Sequence, residues 1–345
     1  MQSQVRDAED DVAGAGGRAA AAGRRRRLGW LARRVLPVVI GLGALAAVAL
    51  VVNPRALAVA LSRFNPALAP PVVLAAAGWF VLQGVRWHVL LRATGSTLRL
   101  ADSVLLSVAG QTITALLPLG DLTRAVFASQ TANLQFGTAA ATVTVQELTF
   151  TVYLILLAAP GMAAVHVGTG IIATVVAAVL AIFAILTVPR LFRFGRRAAA
   201  VLPVPRRLLA QVDALQRATA GLLRRPDTAG WSLLDLARAV VGATVLWLIV
   251  QGLEPGAIGW WMAAFVVAVA YVGGAVSFLP GGTGANDATV VGLLVLLGLD
   301  PATAAAAALV QRVVFTGLAT GLGLTAYLVA RRRLPIGSLL AQPPA

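Results

Sequence analysis

Runs of about twenty apolar residues, each cut off by a polar segment rich in arginine, recur along the whole chain. No other feature limits its fold as strongly. About 20 apolar helical residues are what it takes to cross the roughly 30 Å of hydrocarbon in a bilayer. Such runs occupy 36–52, 70–91, 139–159, 167–188, 236–253, 260–278 and 303–330. Only 12% of the 345 residues are charged and 59% are hydrophobic, with a mean hydropathy of +0.86. A soluble domain carries about 25% charged residues. The chain therefore reads as an all-α polytopic membrane protein of about eight transmembrane segments.

The net charge of +15 does not point to nucleic acid. All the basic residues are arginines, and they flank the spans, where basic residues set topology and attract anionic lipid. No module of interleaved aromatic and basic residues of the kind that binds RNA or DNA is present. The absence of cysteine excludes disulfides and thiolate metal sites. His88 and His166 stand alone, without partners at metal-ligand spacing, so neither a metal nor a cofactor is expected. Arginine in place of lysine, with abundant alanine, glycine and proline, fits a GC-rich bacterial genome and hence a bacterial plasma membrane.

Charge also orders the chain. Residues 1–34 carry RRRR at 24–27 and RR at 33–34, and read as a disordered cytoplasmic tail. Arg92, Arg99, Arg190, Arg193, Arg196 and Arg197 place further span ends on the inner face. Counting spans between these points leaves residues 100–138 starting and finishing inside, although LADSVLLSVAGQTITALLPLG is apolar enough to enter the bilayer. That stretch is expected to be a re-entrant hairpin, tolerated where it is buried in protein or faces a wet cavity. The same count, with Arg331, Arg332 and Arg333 inside, makes ATVVGLLVLLG (288–298) a half-helix, started by Asn286 or Asp287 and ended by Gly298. The expected division is a first half at 35–188, a cytoplasmic linker at 189–232, a second half at 233–330 and a cytoplasmic tail at 331–345. Within the linker, Leu208, Val212, Leu215 and Leu222 share one helical face, the pattern of a helix lying on an anionic membrane surface, the alternative being a solvated helix between the two bundles.

Both anomalous segments contain similar interruptions. FLPGGTGAND (278–287) and LLPLGDLTRA (116–125) each run from an apolar residue through Leu-Pro to Gly and a carboxylate. Paired Gly/Pro breaks at matching places in two halves mark the binding sites of transporters built from internal repeats. The half-helix N-termini so created aim free N–H groups at anions such as phosphate.

LPLGDLTRA and LPGGTGANDATVVGLLVLLGLDPATAAAAALVQRVVFTGLATGLG resemble the two signature regions of the lysylphosphatidylglycerol synthase transmembrane, flippase-like family. The resemblance covers roughly 36–330, and Arg312 matches a lone Arg in its last span. It departs in detail. Gly120, Asp121 and Arg124 stand in a shortened first motif. Asn286 and Asp287 replace an Arg-Glu pair, and Gln146–Glu147 only partly matches a Glu-Arg pair. The resemblance implies movement of a lipid between leaflets. No aminoacyl-transfer domain follows within these residues, so the chain is not expected to charge a lipid, and no catalytic residues are assigned.

The head-group site expected from motifs and resemblance comprises Pro118, Gly120, Asp121, Arg124, Pro280, Gly281, Gly282, Gly284, Asn286 and Asp287. Arg124 is a candidate phosphate ligand or a partner of Asp121. Arg86 should snorkel to the interface beside Trp87, and Asp235 and Arg238 should pair along one helix. Glu147 lies 29 residues after Pro118 and Arg312 lies 32 after Pro280, so these two opposite charges are expected to pair across the halves. The favoured function is a translocator of an anionic or zwitterionic phospholipid or a polyprenyl-linked lipid. Without a GxxxxGK[ST] loop it would be driven downhill or by an ion gradient, with Asp121, Glu147 or Asp287 carrying a proton. The alternative is a non-transporting scaffold that docks a separate lipid-modifying enzyme.

Overall fold

The computed structural model describes residues 54–114, 121–165, 206–276 and 284–334, with scattered positions between 170 and 192. The expected tails, the 36–52 span, most of the 167–188 span, and Pro118, Gly120, Pro280, Gly281 and Gly282 lie outside the described residues. All regular structure among those described is helical: α1 (Pro54–Ser62), α2 (Ala69–Ala93), α3 (Leu100–Thr114), α4 (Leu122–Thr131), α5 (Phe136–Ala164), α6 (Arg206–Leu223), α7 (Pro226–Trp231), α8 (Leu233–Leu253), α9 (Trp260–Val276), α10 (Ala285–Leu296) and α11 (Pro301–Arg333). Four helical stretches, built on α2, α5, α8 and α11, are long and apolar enough to cross a membrane. The all-α membrane architecture is as the sequence implies.

Local chemistry sets the helix ends. The Asp300 side chain accepts from the N–H groups of Ala302 and Thr303 at 3.0 and 3.3 Å, ahead of Pro301 at the first position of α11. Gly298, at φ +100°, ends α10 as expected. Its N–H bonds to Val295 and that of Leu299 to Leu294, so the last carbonyls are satisfied as the chain turns. At its start Asp287 accepts from the Gly284 N–H at 3.1 Å, so of the two expected capping residues Asp287 does the work. With 10 and 12 residues, α4 and α10 reach about 15 and 18 Å at 1.5 Å per residue. Each falls short of a bilayer's hydrocarbon thickness.

The packing has an internal symmetry. α3 packs on α11, and correspondingly α9 packs on α5; α4 lies on α5, and α10 on α11. α2 touches α3, α5 and α11, just as α8 touches α9, α11 and α5. Exchanging α2–α5 with α8–α11 maps this set of contacts onto itself, with the α2–α8 contact at the centre. Those two helices are antiparallel: the Asn65 N–H donates to Gly252 O at 2.8 Å near one end, and Arg225 Nη1 reaches Ala93 O at 2.9 Å near the other. One half is therefore inverted relative to the other.

Small residues allow the close crossings, as membrane helices require. A Cβ on Gly161 would lie 2.6 Å from Trp261 O, and one on Gly323 would lie 2.8 Å from Val108 O. The linker helix α6 departs from expectation. Its buried side, Ala214, Ala220 and Leu222, packs on α5, and Gln211 Oε1 accepts the Gly137 N–H at 2.8 Å. Of the apolar face that the sequence assigns to lipid, the bundle buries Leu222 and half-buries Val212 and Leu215.

Candidate functional site

Charged side chains gather where the halves meet. On α5, Glu147 receives Arg124 Nη2 of α4 at 2.9 Å and the Tyr271 hydroxyl of α9 at 2.8 Å. Arg238 Nη1 of α8 approaches its Oε2 at 3.3 Å, and Gln83 Nε2 of α2 lies 3.4 Å from Oε1. Arg124 also donates to Asp121 Oδ1 at 3.1 Å and to Gln146 Oε1 at 2.8 Å. Gln146 then donates to Gln83 O at 2.8 Å, and Gln111 of α3 donates to the Gln83 side chain at 3.0 Å. Gly110 makes room for this arrangement, since a Cβ there would sit 2.7 Å from Arg124 Cγ. The Arg238 guanidinium lies 3.9 Å from the Trp79 ring centroid and 4.0 Å from that of Phe150, a cation–π contact with both.

Beside this cluster, Arg86 Nε donates to Asp235 Oδ2 at 2.9 Å, and the Thr149 hydroxyl donates to the same oxygen at 2.5 Å. Both charged side chains are fully buried. In the second half, Arg312 grips Asp287 with two parallel bonds, Nε to Oδ1 at 3.0 Å and Nη2 to Oδ2 at 2.5 Å, the fork geometry of strong Arg–carboxylate pairs. Asn286 Nδ2 donates to Ala270 O at 3.2 Å.

Three expected partnerships are corrected. Glu147 and Arg312 do not pair: Arg124, Arg238, Tyr271 and Gln83 hold Glu147, and Asp287 holds Arg312. Each charge is met by the short helix preceding its own, so the two places are equivalent without touching, and Glu147 alone also takes Arg238 and Tyr271 from the other half. Asp235 and Arg238 turn to Arg86 and Glu147 in place of each other, because α2 and α5 present better-placed partners. Arg86 does not snorkel; Asp235 neutralises it inside the bundle. Arg124 does bond Asp121, but Gln146 and Glu147 share it. Gln83, Gln111, Thr149, Trp79 and Tyr271 escaped the sequence reading. For Gln83 and Thr149 the one signal was i, i+3 spacing of polar residues within apolar spans, Gln83–Arg86 and Gln146–Thr149, which puts each pair on one helix face. Among the described residues no group of His, Asp and Glu could hold a metal ion.

No curated protein matches the chain. The family model described as Lysylphosphatidylglycerol synthase TM region matches residues 34–323, or 290 of 345. The chain therefore belongs to the lysylphosphatidylglycerol synthase transmembrane family, and is a multi-pass membrane protein of lipid-related function.

Proposed function

We propose that the protein is a flippase-type lipid translocator, passing a phospholipid or polyprenyl-linked lipid between the leaflets of a bacterial plasma membrane, with both termini cytoplasmic. The observation that carries this reading is the gathering of Arg86, Arg124, Glu147, Asp235 and Arg238 inside apolar helices, where elements of both halves meet. A charge at the bilayer centre costs about 2.5–3.5 kcal/mol on insertion scales, so such a concentration calls for a use. The short helices α4 and α10 fit the re-entrant reading. Asp121 and Arg124 at one break, with Gly284, Asn286 and Asp287 at the other, then form the described parts of two polar lips. The head group slides between them while its tails stay in lipid.

The test is reconstitution into liposomes carrying fluorescent phosphatidylglycerol, with dithionite quenching of the outer leaflet. Translocation predicts that quenching proceeds past the outer-leaflet fraction at a rate set by protein density. A scaffold for a separate enzyme has no need of buried charges, and it predicts the rate of protein-free liposomes.

A further inference from the structure

Glu147 is held as though it were a ligand. Donors from four helices converge on this one carboxylate: Arg124 at 2.9 Å, Tyr271 at 2.8 Å, Arg238 at 3.3 Å and Gln83 at 3.4 Å. The donors are not all used. The Nε groups of Arg124 and Arg238 are buried with no hydrogen-bond partner among the described residues, although an unpaired buried donor is costly. Arg238 also has a support of its own. The Trp79 and Phe150 rings lie against its guanidinium, contacts that do not involve Glu147. Access comes from the carboxylate side, where Asp121 and Glu147 are 40% and 21% exposed while the two guanidiniums are 0% and 2% exposed.

We propose that Arg124 and Arg238, one from each half, form a cradle for the phosphodiester of a lipid head group, and that Glu147 sits in the phosphate's seat as an internal competitor. A guanidinium takes phosphate and carboxylate oxygens with the same fork. A phosphodiester carries one negative charge, as the Glu147 carboxylate does, so one can replace the other without changing the charge facing the two arginines. The swap keeps the empty site neutralised and lets the head group leave. The choice of a lipid as occupant rests on the translocation reading, but the test does not.

Isothermal titration of the protein in a maltoside detergent, which carries no phosphate, compares dioctanoyl-phosphatidylglycerol with inorganic phosphate. Glu147→Gln should bind the lipid about tenfold more tightly than the parent, and Arg238→Gln added to it should abolish that gain. Unchanged or weaker lipid binding in Glu147→Gln overturns the proposal, as does a gain for inorganic phosphate without one for the lipid. Should Glu147→Gln fail to accumulate, Glu147→Asp withdraws the charge by one methylene and should gain about threefold; no gain there overturns it equally. A tenfold gain in binding with no lipid movement in liposomes keeps the cradle and rejects translocation. Lipid movement without the gain does the reverse.

Discussion

The two halves set the same device at the same place with its signs reversed. In the first, a short helix offers Arg124 to Glu147 on the long helix that follows; in the second, a short helix offers Asp287 to Arg312. The sequence separations are 23 and 25 residues. The company differs. Asp287's partners, Gly284 and Arg312, belong to its own half, whereas Glu147 draws on Arg124 and Gln83 from one half and Arg238 and Tyr271 from the other. The second pair ties two neighbouring helices together. The first joins the halves, so any movement of one against the other must rearrange it.

Charge exchange breaks the comparison most sharply. Removing one partner of a buried pair costs about 3–5 kcal/mol, and each single reversal at Asp287 or Arg312 should cost at least that. Asp287→Arg combined with Arg312→Asp should recover about half, short of the whole because the introduced guanidinium would face a helix N-terminus. The matching exchange, Arg124→Glu with Glu147→Arg, should recover nothing, since the guanidinium placed on α5 would then meet Arg238. Thermal unfolding midpoints of all six variants in detergent decide this; equal recovery in both halves would erase the distinction. A smaller effect sharpens it. Gly110→Ala drives a Cβ to 2.7 Å from Arg124 Cγ, but Gly273→Ala comes only to 3.2 Å from Thr289 Oγ1. Overpacking typically costs about 1–3 kcal/mol, so Gly110→Ala should lie within that range and Gly273→Ala below it, read from the same midpoints.

Much of the fold was legible because apolar length and arginine placement are strong, additive signals. The Gly298 stop, the half-helix at 288–298 and the special standing of Glu147 and Arg312 all followed from one-dimensional patterns. Partner choice did not. Arg86 looked like an interface residue because Trp87 stands beside it, and Asp235 lies 149 positions away. The i, i+3 spacing of Asp235 and Arg238 allows a pair along the helix, but two other helices bring the partners that win. Linear equivalence of Glu147 and Arg312 was read as contact, when two equivalent places in inverted halves need only have equivalent neighbours. Tyr271 and Gln83, single polar residues in apolar runs, gave no hint of their common target.

Inverted topology underlies every argument about the shared cluster, and the lack of native cysteine makes it directly measurable. Single cysteines replacing the exposed Arg99 and Asn133 flank the α3–α4 pair, and those replacing the exposed Glu254 and Pro301 flank the α9–α10 pair. Labelling with a membrane-impermeant maleimide, on intact cells and on inverted vesicles, should modify the first two only from the cytoplasmic side and the last two only from the outside. Modification of Arg99→Cys and Asn133→Cys from opposite sides, or of all four from the same side, would contradict the inverted arrangement.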